Sequence, residues 1–215
     1  MSRVPAGMAA IVLTAVGTAC IAAPLSPRPE TAGTVAGRSP TGRAAELLVP
    51  PGNGTLRQDD ITLTLEAGDL QLKVTPLEEW VVRLTAPDTW SRLSALARAH
   101  RAEVERRTGR PGALFLVSFF SRVPGVSFRP DEVQLVNRGR RQRAVLIRPI
   151  TAGWGTERLQ PEETQLAVYA FPDEVDVEQP LTLEYGFETA AGWDEILRRL
   201  ETELGKARAR AGLGR

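Results

Sequence analysis

The chain predicts a mainly β fold: an antiparallel sandwich of about seven or eight short strands with two accessory helices. The segments ALFLVSFF (113–120), EVQLV (132–136), RAVLIRPI (143–150), QLAVYAF (165–171) and LTLEYGF (181–187) are rich in β-branched and aromatic residues. Such side chains fit a pleated, half-buried surface. Clusters of Pro, Gly, Asn and Asp separate these segments and supply turn chemistry. In LTLEYGF, Leu181, Leu183, Tyr185 and Phe187 face one way and Thr182 and Glu184 the other, the alternation of a strand with one buried face. ALFLVSFF is apolar on both sides, which predicts a central strand.

At 215 residues, 42% hydrophobic and 25% charged, the chain has the length and composition of one globular domain with tails. With 27 basic and 26 acidic residues its formal charge is +1. That balance argues against a general nucleic-acid binder, which would present a strongly basic footprint. Lys73 and Lys206 are the only lysines, so the basic side chains are overwhelmingly Arg. One Cys and one His exclude an intramolecular disulfide and a zinc site built from Cys and His. No cofactor motif is present.

Residues 1–19 have the layout of an export signal: Arg3 in a positive n-region, a short apolar run from Met8 to Val16, then the small residues Gly17, Thr18 and Ala19. The apolar run is too short for a permanent membrane span. Val16-Gly17-Thr18-Ala19-Cys20 resembles the lipobox of bacterial lipoproteins. The resemblance implies cleavage before Cys20, acylation of Cys20 and attachment to the membrane through N-terminal acyl chains. The other outcome is ordinary secretion, with cleavage near Ala19 or Ala23 and Cys20 left as a thiol. The expected location is the cell envelope, lipid-anchored on its periplasmic or extracellular face.

Residues 20–54 are dense in Pro, Ala, Gly, Ser and Thr without apolar periodicity, which predicts a flexible tether. Within it, AELLVPPGNG (45–54) is a candidate edge strand. The folded domain is expected over 55–215. ITLTLE (61–66) and DLQLKVTPL (69–77) alternate, and Ala67-Gly68 between them signals a hairpin. EWVVRLTA (79–86) reads as a third strand with Trp80, Val82 and Leu84 inward. Asp88 then caps a helical insertion over 88–108, its helix running from about 89 to 107 with Trp90, Leu93, Ala97, His100 and Val104 along one stripe. Gly109, Pro111 and Gly112 end it. A C-terminal helix of about 194–210, within 193–211, buries Ile196, Leu197, Leu200 and Leu204, with Trp193 at its start.

Two stretches resemble secreted bacterial domains of immunoglobulin-like shape: Phe128-Arg-Pro-Asp-Glu-Val-Gln-Leu, and Leu159-Gln-Pro-Glu-Glu-Thr followed by a strand ending at Phe171-Pro172. The resemblance covers the last third to half of the chain, implies an immunoglobulin-like sandwich, and implies no activity.

Several groups are candidates for chemistry. Gly153-Trp154-Gly155 presents an aromatic on a loop, either an interface anchor or a lid folded back on the sandwich end. Arg138, Arg140, Arg141 and Arg143 lie in and beside a hairpin turn. They suit an anionic envelope polymer or lipid headgroups, or simply blunt an edge strand with charge. Asp173, Glu174, Asp176 and Glu178 cluster in a loop but lack the spacing of a calcium loop, so no metal is expected. His100 stands alone on a helical stripe and reads as a locally bonded, half-buried residue. The pairs Asp59-Asp60, Glu78-Glu79 and Glu162-Glu163 read as solvated charge, because neighbours on a strand face opposite ways. No G-x-S-x-G elbow occurs. The expectation is an exported, lipid-anchored, non-catalytic binding or assembly module whose partner is an envelope protein or anionic polymer. The alternative is a carboxylate-based hydrolase acting on envelope glycans.

Overall fold

A computed structural model describes residues 49–213. Cys20, the export signal and most of the tether lie outside the described residues. The described chain is β-rich, with antiparallel sheets and three α-helices. Its strands are β1 (Leu63–Ala67), β2 (Leu70–Pro76), β3 (Ala113–Ser121), β4 (Val126–Ser127), β5 (Val133–Asn137), β6 (Arg140–Arg143), β7 (Leu146–Pro149), β8 (Arg158–Leu159), β9 (Glu163–Phe171), β10 (Leu181–Tyr185) and β11 (Glu188–Ala191). The helices are α1 (Glu79–Val82), α2 (Pro87–Thr108) and α3 (Trp193–Arg210). One sheet has the order β1-β2-β3-β9-β7, a second β11-β10-β5-β6, and β4 pairs with β8 in a small ribbon.

β3 is central, as its two-sided apolarity predicts, with β2 on one flank and β9 on the other. Phe115, Val117 and Phe119 occupy one of its faces. Phe119 stacks on Phe128 at 4.5 Å and meets Tyr185 of the second sheet at 5.9 Å. An aromatic core therefore joins the two sheets. Leu114 and Leu116 occupy the opposite face, the one that carries the Ala170 side chain of β9, which lies close to Val104 of α2 beside Gly112. The helix α2 covers this outer face. Its Arg92 donates to Gln58 at 2.6 Å near one end, and its Glu103 pairs with Arg148 of β7 at 3.1 Å towards the other.

Hairpin turns follow the residues that make positive φ cheap. Arg138 (φ 53°) and Gly139 (φ 73°) form the two-residue turn between β5 and β6, matching the right-handed twist of the strands. Gly68 (φ 61°) opens the β1–β2 turn.

Five expectations are corrected. Residues 79–86 form a short helix and a bridge, not a strand. Trp80, Val81 and Val82 are all buried, whereas a one-sided strand would leave Val81 wet. An i,i+4 ion pair from Arg83 to Glu79 at 2.6 Å closes the turn. RAVLIRPI is two strands in different sheets, because the chain changes sheet at Ala144-Val145, between β6 and β7. Phe187 is fully exposed: β10 ends at Tyr185, and Gly186 (φ 58°) turns the chain into β11. The helix α2 begins at Pro87 with Ala86 as its N-cap, so Asp88 sits in the first turn and does not cap. Pro at the first position loses no hydrogen bond there. Residues 49–54, assigned to the tether and offered in part as an edge strand, pack on the domain without forming a strand. Val49 is buried and its carbonyl accepts from Arg83 at 3.1 Å.

Candidate functional site

The ends of both sheets nearest the β5–β6 turn open into a cleft of about 510 Å³. Its parts come from five places in the sequence. Glu78 and Trp80 stand at the start of α1, Arg101 projects from α2, and Pro111, Gly112 and Ala113 lead into β3. Arg138 comes from the β5–β6 turn, and residues 173–178 from the β9–β10 loop. A second cleft of about 450 Å³ adjoins it, shares Gly112, Asp173 and Glu174, and adds Arg110, Arg140, Gln142 and Val145.

The acidic loop is held rigidly. Asn137, buried at the end of β5, donates from Nδ2 to the carbonyls of Asp176 and Pro180, each at 3.1 Å. Its Oδ1 accepts the Asp176 N–H at 3.0 Å. Trp193 donates to the Val177 carbonyl at 2.9 Å, and Val175 and Val177 are buried. Asp176 Oδ2 accepts from Arg138 at 2.6 Å while Oδ1 accepts the Glu178 N–H at 2.8 Å. Arg110 pairs with Asp173 at 3.1 Å and with Glu174 at 3.2 Å. The Arg110 hydrogen bond holds the Asp173 carboxyl below the usual carboxylate range. These carboxylates are taken up by arginines, and no group of acidic, His or Cys residues suited to a metal ion occurs among the described residues.

Glu78 is different. It is half-buried by its exposure to water, yet it sits deep in the cleft among protein atoms on most sides. Burial pushes its carboxyl above the ordinary range, more than the Arg101 charge pulls it down, and Glu79 and Asp176 add to the rise. Neither Glu78 nor Arg101 makes a side-chain hydrogen bond or an ion pair within 4.0 Å among the described residues. Trp80, Val175 and Val177 supply the apolar floor between them. The cleft can therefore offer one acceptor and one guanidinium donor to an incoming group, over an apolar surface.

In the other carboxylate pairs most members have partners, and Glu162 is exposed. Asp59 binds Lys73 at 2.9 Å, and Asp60 accepts the Arg57 N–H at 2.8 Å. Glu163 accepts the Gln160 N–H at 2.7 Å. Glu79 accepts from Arg83, Trp90 and Ser94, at 2.6, 3.3 and 3.0 Å. Of the Glu78-Glu79 pair, Glu79 turns to the helices and Glu78 to the cleft.

Arg138 lines the first cleft and Arg140 the second, whereas Arg141 pairs with Glu184 at 2.8 Å and Arg143 ends the exposed edge strand β6. The four arginines thus divide between cleft wall and charged edge. Trp154 lines neither cleft. It is buried in a 3-10 turn (Ala152–Thr156), edge-on to Phe119, Phe128 and Tyr169 at 5.7, 5.2 and 6.3 Å. It is a core residue and presents no surface to a partner. His100 is half-buried outside the cleft, its Nδ1 is buried without a partner, and burial lowers its pKa. Sequence reasoning missed Arg101, Asn137 and the cleft role of Glu78. Only the doublet of Glu78 with Glu79 marked the place.

Comparison with family models, curated proteins and solved structures finds no match for this chain. Among the described residues no helix is long and apolar enough to cross a membrane.

Proposed function

We propose that this chain is an exported envelope protein, anchored through acyl chains on Cys20, whose domain is a non-catalytic binding module with the paired clefts as its binding face. One observation carries the reading: beside a rigidly tied loop, Glu78 and Arg101 line a cleft without side-chain partners among the described residues, while Asp173, Glu174 and Asp176 next to them are paired with arginines. A ligand reaching both would exchange water for charge-assisted hydrogen bonds. The immunoglobulin-like sandwich belongs to the same proposal, supported by two antiparallel sheets that share an aromatic core. An envelope protein or anionic polymer at the rim is supported by Arg140, exposed on the wall of the second cleft.

The test has two arms. A photo-cross-linking residue at Glu174 or Arg140, both exposed on the rim, is expected to capture a saturable species in the envelope, while the same residue at Glu188 on β11 is not. Equal capture at all three positions would remove the binding face. For the anchor, Cys20→Ser is expected to abolish labelling by a fatty-acid probe and release the protein from the membrane fraction. Unchanged sedimentation would remove the lipid anchor.

The alternative, a hydrolase of envelope glycans, has one observation in its favour. A carboxyl raised by burial (Glu78) shares a cleft with an ion-paired carboxylate (Asp176), the acid-and-carboxylate division of glycosidases. Turnover of an envelope glycan that disappears in Glu78→Gln would favour it over the binding module.

A further inference from the structure

The chemistry of the larger cleft narrows the ligand class. Asp173 and Glu174 share Arg110, and Asp176 pairs with Arg138, so these carboxylates already have partners. Glu178, also on the lining, has an interaction of its own; among the described residues the cleft groups without a side-chain partner are the Glu78 carboxyl and the Arg101 guanidinium, which come from different elements. They influence each other electrostatically without meeting in an ion pair. A ligand bearing a single charge would satisfy one and leave the other desolvated and unbonded. A ligand of uniform charge would be repelled by one of them. Only a group carrying both signs completes both.

The floor adds a size and polarity requirement. Trp80, Val175, Val177, Pro111 and Ala113 are apolar and lie on the lining. A volume of about 510 Å³ falls in the range of small-molecule sites. It is too small for a folded partner and roomy for an amino acid or a short peptide end. The backbone at Gly112 is part of the fit. Gly112 has φ 61°, and a Cβ there would lie 2.9 Å from the Phe171 carbonyl oxygen, so this wall is kept free of side chain.

We infer that the cleft binds a small zwitterion, an amino acid or short unmodified peptide, with the ammonium on Glu78, the carboxylate on Arg101 and the apolar part against Trp80 and Val177. The inference rests on the binding-module reading and specifies the ligand of that same site. Arg is suited to the carboxylate because its fork can take both oxygens, and Glu accepts from an ammonium with either oxygen.

Affinity selection tests it with a defined probe. The full-length protein is incubated with a random dipeptide mixture, with the same mixture N-acetylated, and with the same mixture C-amidated, and retained species are read by mass spectrometry. Retention of unmodified dipeptides, reduced about tenfold or more by either cap, is the expected result, since loss of one charge-assisted hydrogen bond costs about 1.5–3 kcal/mol. Glu78→Gln should abolish the penalty for N-acetylation and Arg101→Met the penalty for amidation, each in a variant whose thermal unfolding shows it folded. Arg141→Ala, outside the cleft, should bind as the parent does. No retention in any mixture, or retention indifferent to both caps, would overturn the inference. If rim cross-linking at Glu174 still captures a species in that case, the binding module stands and only the ligand class falls; if it does not, both fall.

Discussion

Glu203 of α3 accepts the backbone N–H of Thr55 at 3.0 Å and the Thr55 hydroxyl at 2.9 Å, a contact that spans 148 residues. Glu203 is buried and also accepts from Arg210, whose guanidinium in turn reaches the Asn53 carbonyl. One carboxylate thus ties the beginning of the described domain to its last helix. Removing it takes a charged acceptor from the Thr55 N–H, the Thr55 hydroxyl and the Arg210 guanidinium at once. Glu203→Ala is expected to lower the unfolding free energy by about 2–3 kcal/mol in chemical denaturation. Glu203→Gln, which keeps one acceptor oxygen, should lose less. Equal losses in the two would show that packing rather than hydrogen bonding sets the cost.

Gly54 lies beside this contact, and its backbone passes so close to Arg83 and Leu84 that a Cβ would stand 2.1 Å from the Leu84 carbonyl carbon. Backbone cannot step aside as a flexible side chain does. Gly54→Ala should therefore cost about 3 kcal/mol or more, seen as a drop in Tm. Gly155, with open space around its Cβ position, provides the contrast. Its Ala variant should unfold within about 0.5 kcal/mol of the parent.

Glu78 makes stability depend on pH in an unusual direction. Burial raises its carboxyl above the ordinary range; Arg101 from α2 opposes this, and Glu79 and Asp176 reinforce it. The protonated form thus favours the fold. That contribution is fully present below the unfolded-state pKa and is lost as pH rises through the raised folded value. Glu78→Gln is expected to be more stable than the parent near neutral pH, by on the order of 1 kcal/mol, and indistinguishable from it near about pH 3.5. Denaturant titrations at both pH values decide this. A variant less stable at neutral pH would mean that the carboxylate is stabilised in the cleft.

Trp154 and Phe187 should behave in opposite ways. Trp154 fills the aromatic core between Phe119, Phe128 and Tyr169, so Trp154→Ala should cost about 3–5 kcal/mol. Phe187 lies in the open at the tip of the β10–β11 turn, and Phe187→Ser should change stability by less than about 0.5 kcal/mol. Thermal unfolding of both separates the two roles. A large loss at Phe187 would reveal an unseen packing partner.

By itself the sequence determined the alternating strands β1, β2, β5 and β10, the β-branched and aromatic runs of β3 and β9, and the two long helices with their apolar stripes. These are local patterns, and burial of one face is enough to enforce them. The turn at Arg138-Gly139 was equally legible, because few residues tolerate positive φ. Only the tertiary structure decided the rest. The strand β11, Glu188–Ala191, has little β-propensity and exists because β10 pairs with it. The change of sheet at Ala144-Val145 leaves no mark in an apolar run, since either sheet accepts the same side chains. The helical turn at Glu79 depends on acceptance from Trp90 and Ser94, 11 and 15 residues further on. Trp154 carried the chemistry of an anchor, and its neighbours made it core. The cleft was the least legible feature, because Glu78, Arg101, Asn137 and Asp176 share no spacing and meet only when two sheets and α2 bring their ends together. What a residue can do is written in its side chain, but what it must leave unpaired depends on the distances that folding sets.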